Sequence, residues 1–260
     1  MPELPECEAN RRRIEDACLN RTIEAVELGE VRHMDLPGGN AQGRLVGHQF
    51  TETRRHGKAI FAGTKSGPWI VVHLGMTGSL RPYDGEDAPD YAKVTIRFEG
   101  ERRLAFRCPR KLGTVSVIDD PEAYVSEAGL GPDAMQVDAD RFVEIMGRSR
   151  GAAKSALMAQ TKIAGVGNLW SDETLYRAGV YPEARASELG EKMLRTLHAE
   201  MRHVLGHLLE ANADYSRIPE DWLFPSRDEG EACPRCGGTI TKSKVGGRTA
   251  YFCADHQKTA

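Results

Sequence analysis

The sequence predicts an α+β fold in which a strand-rich N-terminal part gives way to a helical part. Three observations carry this. Between residues 22 and 118, short runs rich in Val, Ile, Thr and aromatics are punctuated by Gly, Pro and Asp. Beyond about residue 137, apolar residues recur at helical spacing instead. The C-terminal end does neither, and it gathers three cysteines and a histidine at short intervals.

The elements follow in order. Residues 3 to 19 predict a helix with Leu4, Ala9, Ile14 and Cys18 as its apolar positions. The strand runs are TIEAVELGEV, HQFTETRRHGKAIFAG, WIVVHLGMTGSL, AKVTIRFEG, RRLAFRC and GTVSVI. Short strands at this spacing predict an antiparallel sandwich or barrel. A domain boundary is expected near 125 to 137, around SEAGLGPDAM. Residues 138 to 147, 151 to 161, 168 to 178 and 187 to 211 predict helices, the last with Met193, Leu197, Met201, Val204 and Leu208 at helical spacing. Residues 212 to 232 are irregular and acidic. Within IAGVGNLW, Gly165 and Gly167 separate two helical patterns and Asn168 opens the second. Such a turn can point backbone N–H groups outward at a helix N-terminus, a phosphate-binding geometry. Taken alone it is more often a plain helix–helix connection.

Cys233, Cys236, Cys253 and His256 lie in CPRCGGTITKSKVGGRTAYFCADH. The pattern is C-x2-C, sixteen residues, then C-x2-H. The intervening segment is long enough for a β-hairpin that brings the two pairs together. Three thiolates and one imidazole suit one closed, tetrahedral, structural Zn²⁺ site. A disulfide framework is disfavoured, because the other cysteines are only Cys7, Cys18 and Cys108. Lys242, Lys244 and Arg248 flank a turn at Gly246 and Gly247. A zinc-pinned hairpin with a basic tip can offer cations to a nucleic-acid backbone. The alternative is a solvated basic turn.

The chain of 260 residues is 40% hydrophobic and 28% charged, a globular composition long enough for two domains and a small zinc module. No apolar run approaches a membrane span. MPELPECEANRRR lacks the apolar core of a signal peptide, so a reduced, cytoplasmic setting is expected. The net charge of −3 argues mildly against a nucleic-acid partner, but binding follows the local field. Basic residues cluster at Arg11 to Arg13, Arg54 to Lys58, Arg110 with Lys111, and the hairpin, while acidic ones collect at Asp84 to Asp90 and Glu220 to Glu231. One basic face is therefore expected.

Read together, MPELPE, RRHGK at 54 to 58, HLGMTGSL at 73 to 80, CPRKLG at 108 to 113, LGPDAM at 130 to 135, KIAGVGNLWSDETLYRAGVYP at 162 to 182 and the zinc hairpin resemble the formamidopyrimidine-DNA glycosylase and endonuclease VIII family of DNA glycosylases. The resemblance spans nearly the whole chain. It implies a catalytic β-sandwich domain at 1–125, a helical DNA-binding domain with a helix–two-turn–helix at 126–232, and a zinc finger at 233–260. It implies a monomer acting on damaged double-stranded DNA. The activity implied is that of a bifunctional DNA glycosylase/AP lyase, excising oxidised bases and nicking the strand by β,δ-elimination.

The implied chemistry starts at Pro2, which becomes a terminal secondary amine once Met1 is removed. Free α-amino groups have pKa values near 7.7–8.0, so a useful fraction is nucleophilic at neutral pH. The resemblance makes Pro2 the nucleophile, Glu3 the acid that protonates the opening sugar, and Glu6 a supporting residue. It gives Lys58, on a strand, a role in binding phosphate and promoting elimination. Asn168 and Arg248 would hold phosphate, and Lys154 would lie near the lesion pocket. Met76, Arg110 and Leu112 match positions that fill the space left by an extruded base. Core packing is the plainer reading of Met76 and Leu112.

The chain departs from the family pattern at several places. His256 stands where cysteine is usual, Leu112 where oxoguanine enzymes carry an aromatic, Cys108 and Ala159 where aspartate is common, and Trp170 where tyrosine is usual. The segment from 212 to 232 is shorter than the loop that covers the extruded base in oxoguanine-type members. A preference for oxidised pyrimidines, hydantoins or abasic sites is therefore an alternative. A non-catalytic lesion-binding protein is another, and retention of Pro2 and Glu3 argues against it.

Overall fold

The computed structural model describes residues 1–29 and 41–258. The chain folds as two compact units, Met1–Ala128 and the part from Gly129 onward.

The first unit begins with α1 (Leu4–Cys18), then β1 (Ile23–Leu28), α2 (Ala41–Leu45), β2 (Phe50–His56), β3 (Ala59–Thr64), β4 (Trp69–His73), β5 (Ser79–Asp84), β6 (Ala92–Phe98), β7 (Arg102–Arg107), β8 (Thr114–Ile118) and α3 (Pro121–Glu127). Two of the expected runs each divide into two strands, at Gly57–Lys58 and at residues 74–78. The end of the first run, Glu30 and Val31, lies outside the described residues. Among the described residues the strands form two antiparallel four-stranded sheets, ordered β1-β6-β7-β5 and β2-β3-β4-β8.

Period-two alternation explains the sandwich. Val94, Ile96 and Phe98 of β6, with Leu104 and Phe106 of β7, point inward from one sheet. Ile60 and Ala62 of β3, with Ile70 and Val72 of β4, meet them from the other. β3 is buried along its whole length. Its opposite face, with Phe61 beside Trp69 and Val71, is covered by Tyr124 and Val125 of α3. That helix was not anticipated, although Asp120 accepts the Glu122 N–H as its cap and Pro121 follows as its first residue.

The second unit carries α4 (Ala139–Gly147), α5 (Ala153–Met158), α6 (Asn168–Ala178) and α7 (Gly190–Glu210), then the hairpin β9 (Ile240–Val245) and β10 (Arg248–Cys253). α5 is shorter than the expected 151 to 161. The Gln160 side chain organises the loop that replaces its last turn: it donates to the carbonyls of Met158 and Val166, both at 2.8 Å, and accepts the Gly165 N–H at 3.0 Å. α7 starts later than expected, because Gly190 adopts φ +69° after a 3-10 turn at Ala186–Glu188. α6 is buried on nearly every side, with Trp170 through Leu175 and Tyr176 all covered. Among the described residues no helix is long and apolar enough to cross a membrane.

Candidate nucleic-acid and zinc sites

In the first unit, the site is built on the N-terminus of α1. Glu3 is its N-cap and is only 2% exposed. The Glu3 carboxylate accepts the N–H of Glu6, and Glu6 Oε2 accepts the N–H of Glu3 at 2.6 Å. This capping box fixes Glu3 and the backbone that follows the half-buried Pro2.

Lys58 lies in the turn between β2 and β3, not on a strand as expected. The Cys7 thiol donates to its carbonyl at 3.3 Å, tying that turn to α1. Burial pushes the Cys7 thiol up to about 12, helped by the Glu6 carboxylate and opposed by Lys58 and Arg55. The Cys7 thiol is therefore neutral, and its contact to this turn is the hydrogen bond to the Lys58 carbonyl. His73 is held below its ordinary value by burial and by the Lys58 ammonium.

Met76 sits on the turn between β4 and β5. Gly75, at φ +64°, backs directly onto the Leu112 carbonyl with no room for a Cβ. The structure therefore brings Met76 beside the loop of Arg110, Lys111 and Leu112. All three loop residues are exposed, Leu112 by 54%.

Within each unit, many of the clustered cations are paired locally. Glu8 takes Arg11, Arg12 and Arg55 into ion pairs, and Arg54 pairs with Glu52 and Glu122. Lys242 pairs with Glu229 at 2.6 Å. Among the described residues, Arg110, Lys111, Lys244 and Arg248 have no carboxylate partner.

In the second unit, Asn168 is the first residue of α6, following Gly165 at φ +120° and Gly167 as N-cap. Its Oδ1 is buried and finds no donor among the described residues. Lys154, expected near the lesion pocket, is fully buried. Its ammonium binds the Asp172 carboxylate and donates to the Asn168 carbonyl at 3.1 Å. Asp172 also accepts from Arg227 at 2.7 Å. A buried ammonium without such partners would be costly, so the pair explains its burial.

The segment from 212 to 232 is pinned along α6. Glu173 accepts the N–H groups of Leu223 at 3.1 Å and Phe224 at 2.9 Å. Trp170 stacks on Phe224 at 5.7 Å and meets Tyr215 edge-on at 5.6 Å. Burial pushes Glu173 up to about 7.

The hairpin tip is the expected Gly246–Gly247 turn, both residues at positive φ. A Cβ at Gly246 would lie 2.6 Å from Ser155 Oγ, so the tip packs against α5. Arg248 is the first residue after it and is exposed.

At the hairpin base, the ligand atoms of Cys233, Cys236, Cys253 and His256 all lie within 4.8 Å of one another. Cys236 Sγ is 3.5 Å from Cys253 Sγ, and His256 Nδ1 is 3.6 Å from Cys233 Sγ and 3.7 Å from Cys236 Sγ. Zinc bonded at about 2.3 Å to sulfur and about 2.0–2.1 Å to nitrogen needs tetrahedral edges of about 3.5–3.8 Å. The four residues fit one structural zinc, with imidazole replacing a fourth thiolate. Burial raises the Cys233 thiol, but hydrogen bonds from the Tyr176 hydroxyl and the N–H groups of Arg235 and Cys236 outweigh it and hold it below its ordinary value.

Comparison with known proteins decides the family. The formamidopyrimidine-DNA glycosylase N-terminal domain matches residues 1–115, the formamidopyrimidine-DNA glycosylase H2TH domain 129–220, and a zinc finger found in FPG and IleRS 230–255. The formamidopyrimidine-DNA glycosylase of Geobacter metallireducens is 33% identical over 273 residues, covering 97% of this chain and 98% of that protein. The chain belongs to the formamidopyrimidine-DNA glycosylase family.

The formamidopyrimidine-DNA glycosylase of Bacillus subtilis is 30% identical over 99% of both chains. The Lactococcus lactis enzyme, solved non-covalently bound to DNA containing an AP site, matches with a TM-score of 0.88 at 26% identity over 99% of this chain and 100% of that one. A MutM solved with DNA containing carbocyclic 8-oxo-G matches at 0.89 and 28%, with the same coverage. As a formamidopyrimidine-DNA glycosylase homologue, the chain is a DNA-repair glycosylase by family.

Sequence reasoning missed some residues that hold these sites. Asn10 lies on the same helix stripe as Cys7 and Ile14 and is 6% exposed. A polar residue on an apolar stripe was a usable signal. Tyr176, buried beside the zinc ligands, gave none, because an aromatic there reads as core.

Proposed function

We propose that this chain is a bifunctional DNA glycosylase/AP lyase of base excision repair that works through Pro2. The observation that carries this reading is the buried, capped Glu3 immediately after Pro2, in a chain of this family. With Met1 removed, the neutral proline amine attacks C1′ of the damaged nucleotide, and the glycosidic bond breaks as the base leaves. Glu3 supplies a proton to the opening sugar. The resulting iminium acidifies the 2′ protons. Loss of one expels the 3′ phosphate, and a second elimination expels the 5′ phosphate. Water then frees the amine. Lys58, anchored to α1 through Cys7, supports the elimination by binding phosphate.

In the same reading, Met76, Arg110 and Leu112 fill the space left by the base, and their contiguity around Gly75 supports that grouping. Asn168 and Arg248 bind phosphate. Lys154 acts behind Asn168 and not on DNA. The zinc orders the hairpin that carries Arg248 and takes no part in the chemistry. The deciding experiment is borohydride trapping on an abasic-site duplex. The processed protein should form a covalent adduct, and Pro2→Gly should lose most base release and nicking. Undiminished trapping by a protein whose N-terminus is acylated would falsify the proline mechanism.

The pinned segment from 212 to 232 favours a broad enzyme over one dedicated to 8-oxoguanine. Held by Glu173, Asp172 and Trp170, it has little freedom to fold over an extruded base. Discrimination then rests on pocket shape and on how readily the lesion unpairs.

A further inference from the structure

Tyr176 touches two of the four zinc ligands in three ways. Its hydroxyl lies 3.3 Å from Cys233 Sγ. The same oxygen accepts the backbone N–H of Arg235 at 3.1 Å. That N–H can only donate, which leaves the phenol proton for the sulfur. The Tyr176 ring meets the His256 imidazole edge-on, with centroids 4.7 Å apart. The Tyr176 carbonyl lies 3.3 Å from His256 Nε2. A carbonyl can only accept, so Nε2 carries the proton and Nδ1 turns its lone pair toward the thiolates. Tyr176 is 1% exposed, so water does not compete for these contacts.

We infer that Tyr176 is a positioning residue that makes α6 part of the outer shell of the zinc site. The metal then orders the helix that opens with Asn168 as well as the hairpin that carries Arg248. Outer-shell partners of this kind orient ligands and strengthen metal binding. A hydrogen bond to a thiolate spreads its charge and opposes its protonation. The helix transmits the constraint because it is covered along nearly its whole length. His256 is needed for the third contact. A cysteine at that position could bind zinc, but it has no second donor for the Tyr176 carbonyl. A ring that merely filled the core would be replaced without loss by phenylalanine.

The test uses the zinc-loaded full chain. Tyr176→Phe keeps the ring and removes the hydroxyl. Zinc release to an excess of a colour-forming chelator should accelerate roughly tenfold. In the cobalt-substituted protein, the thiolate-to-cobalt charge-transfer band should shift. His256→Cys keeps four ligands and removes the Nε2–H. Amide hydrogen exchange across Leu175 to Val180 should then quicken while zinc content stays at one per chain. A Tyr176→Phe protein with wild-type release and an unshifted cobalt band overturns the role of the hydroxyl. Unchanged exchange in zinc-loaded His256→Cys overturns the tie to α6, and this arm decides if Tyr176→Phe does not fold. Neither readout depends on which lesion is cut, or on cutting at all.

Discussion

Asn10 Oδ1 accepts the backbone N–H of Leu80 at 2.6 Å, across 70 residues of sequence. Its Nδ2 donates back to the Glu6 carbonyl at 2.7 Å. Arg13, one turn on, donates to the Leu80 carbonyl at 3.2 Å. β5 is an edge strand, so the Leu80 groups turned away from β7 would otherwise lack strand partners. α1 closes that edge and is thereby fixed beside the turn that carries Met76.

Asn10→Ala should therefore destabilise the first unit by about 1–3 kcal/mol, the usual cost of leaving a buried backbone donor unpaired. A lower urea midpoint at unchanged m-value is the expected result. On the proposed mechanism the adduct-forming rate at saturating DNA should fall as well, since Pro2 leads directly into α1.

Gly75→Ala should be costly for two reasons. Its φ of +64° disfavours a side chain, and the new Cβ would strike the Leu112 carbonyl. A loss of at least about 1 kcal/mol is expected. Because the clash moves the loop of Arg110 and Leu112, excision rates opposite different bases should converge. Rates measured with each of the four opposite bases check this.

Glu173 gives stability a pH dependence of known sign. Its folded value of about 7 lies above the ordinary 4.5, with burial as the main cause. Leu223, Phe224 and Arg177 oppose the shift, and Asp221 adds to it. Protons are bound more tightly in the folded state, so this contribution is complete below pH 4.5 and is lost as pH rises through about 7. The shift corresponds to about 3 kcal/mol. Melting temperatures between pH 5 and 7.5 should fall less steeply in Glu173→Gln than in the parent, and parallel curves would exclude this assignment.

On the proposed phosphate role of Arg248, Arg248→Ala should weaken binding to many duplexes alike, because such a contact carries little sequence information. The slope of log affinity against log salt should shrink by about 1. Removing zinc with a chelator should weaken binding further, while leaving the melting of an isolated-probe signal from the β-sandwich nearly unchanged. Metal analysis should find one zinc per chain.

Single-turnover rates on matched duplexes test lesion breadth. Abasic sites, ring-opened purines and oxidised pyrimidines should all be good substrates, with only modest preference for 8-oxoguanine. An 8-oxoguanine rate about a hundredfold above all others, about 2.7 kcal/mol of barrier, would show that specific readout survives with the segment pinned.

Much of the fold was legible because its signals are local. The inward residues of β6 and β7 alternate cleanly, α6 spans the expected 168 to 178 after the Gly165 and Gly167 turn, and the zinc ligands are set by spacing. What was not legible depends on partners far along the chain. β3 hides its alternation because α3 covers its second face. Nothing in the sequence around Lys154 shows that its ammonium is buried against Asp172. The runs of arginine at Arg11 to Arg13 and at Arg54 and Arg55 suggest an open basic field until Glu8, Glu52 and Glu122 are seen to occupy most of it.

The clamp on Leu80 also sets an order of events during synthesis. α1 is translated well before the residues that hold it, since Asn10 waits for Leu80 and Cys7 waits for Lys58. At ~5–20 residues per second, the 70 residues between Asn10 and Leu80 take about 4–14 s to make. A single amphipathic helix of 15 residues is marginal in water without its packing partner. Until Leu80 is made, α1 lacks the partners that hold it in the folded unit, and the residues before it should be accessible to an aminopeptidase. On the proposed mechanism, removal of Met1 must then take place within those seconds, before the β-sandwich draws the terminus in.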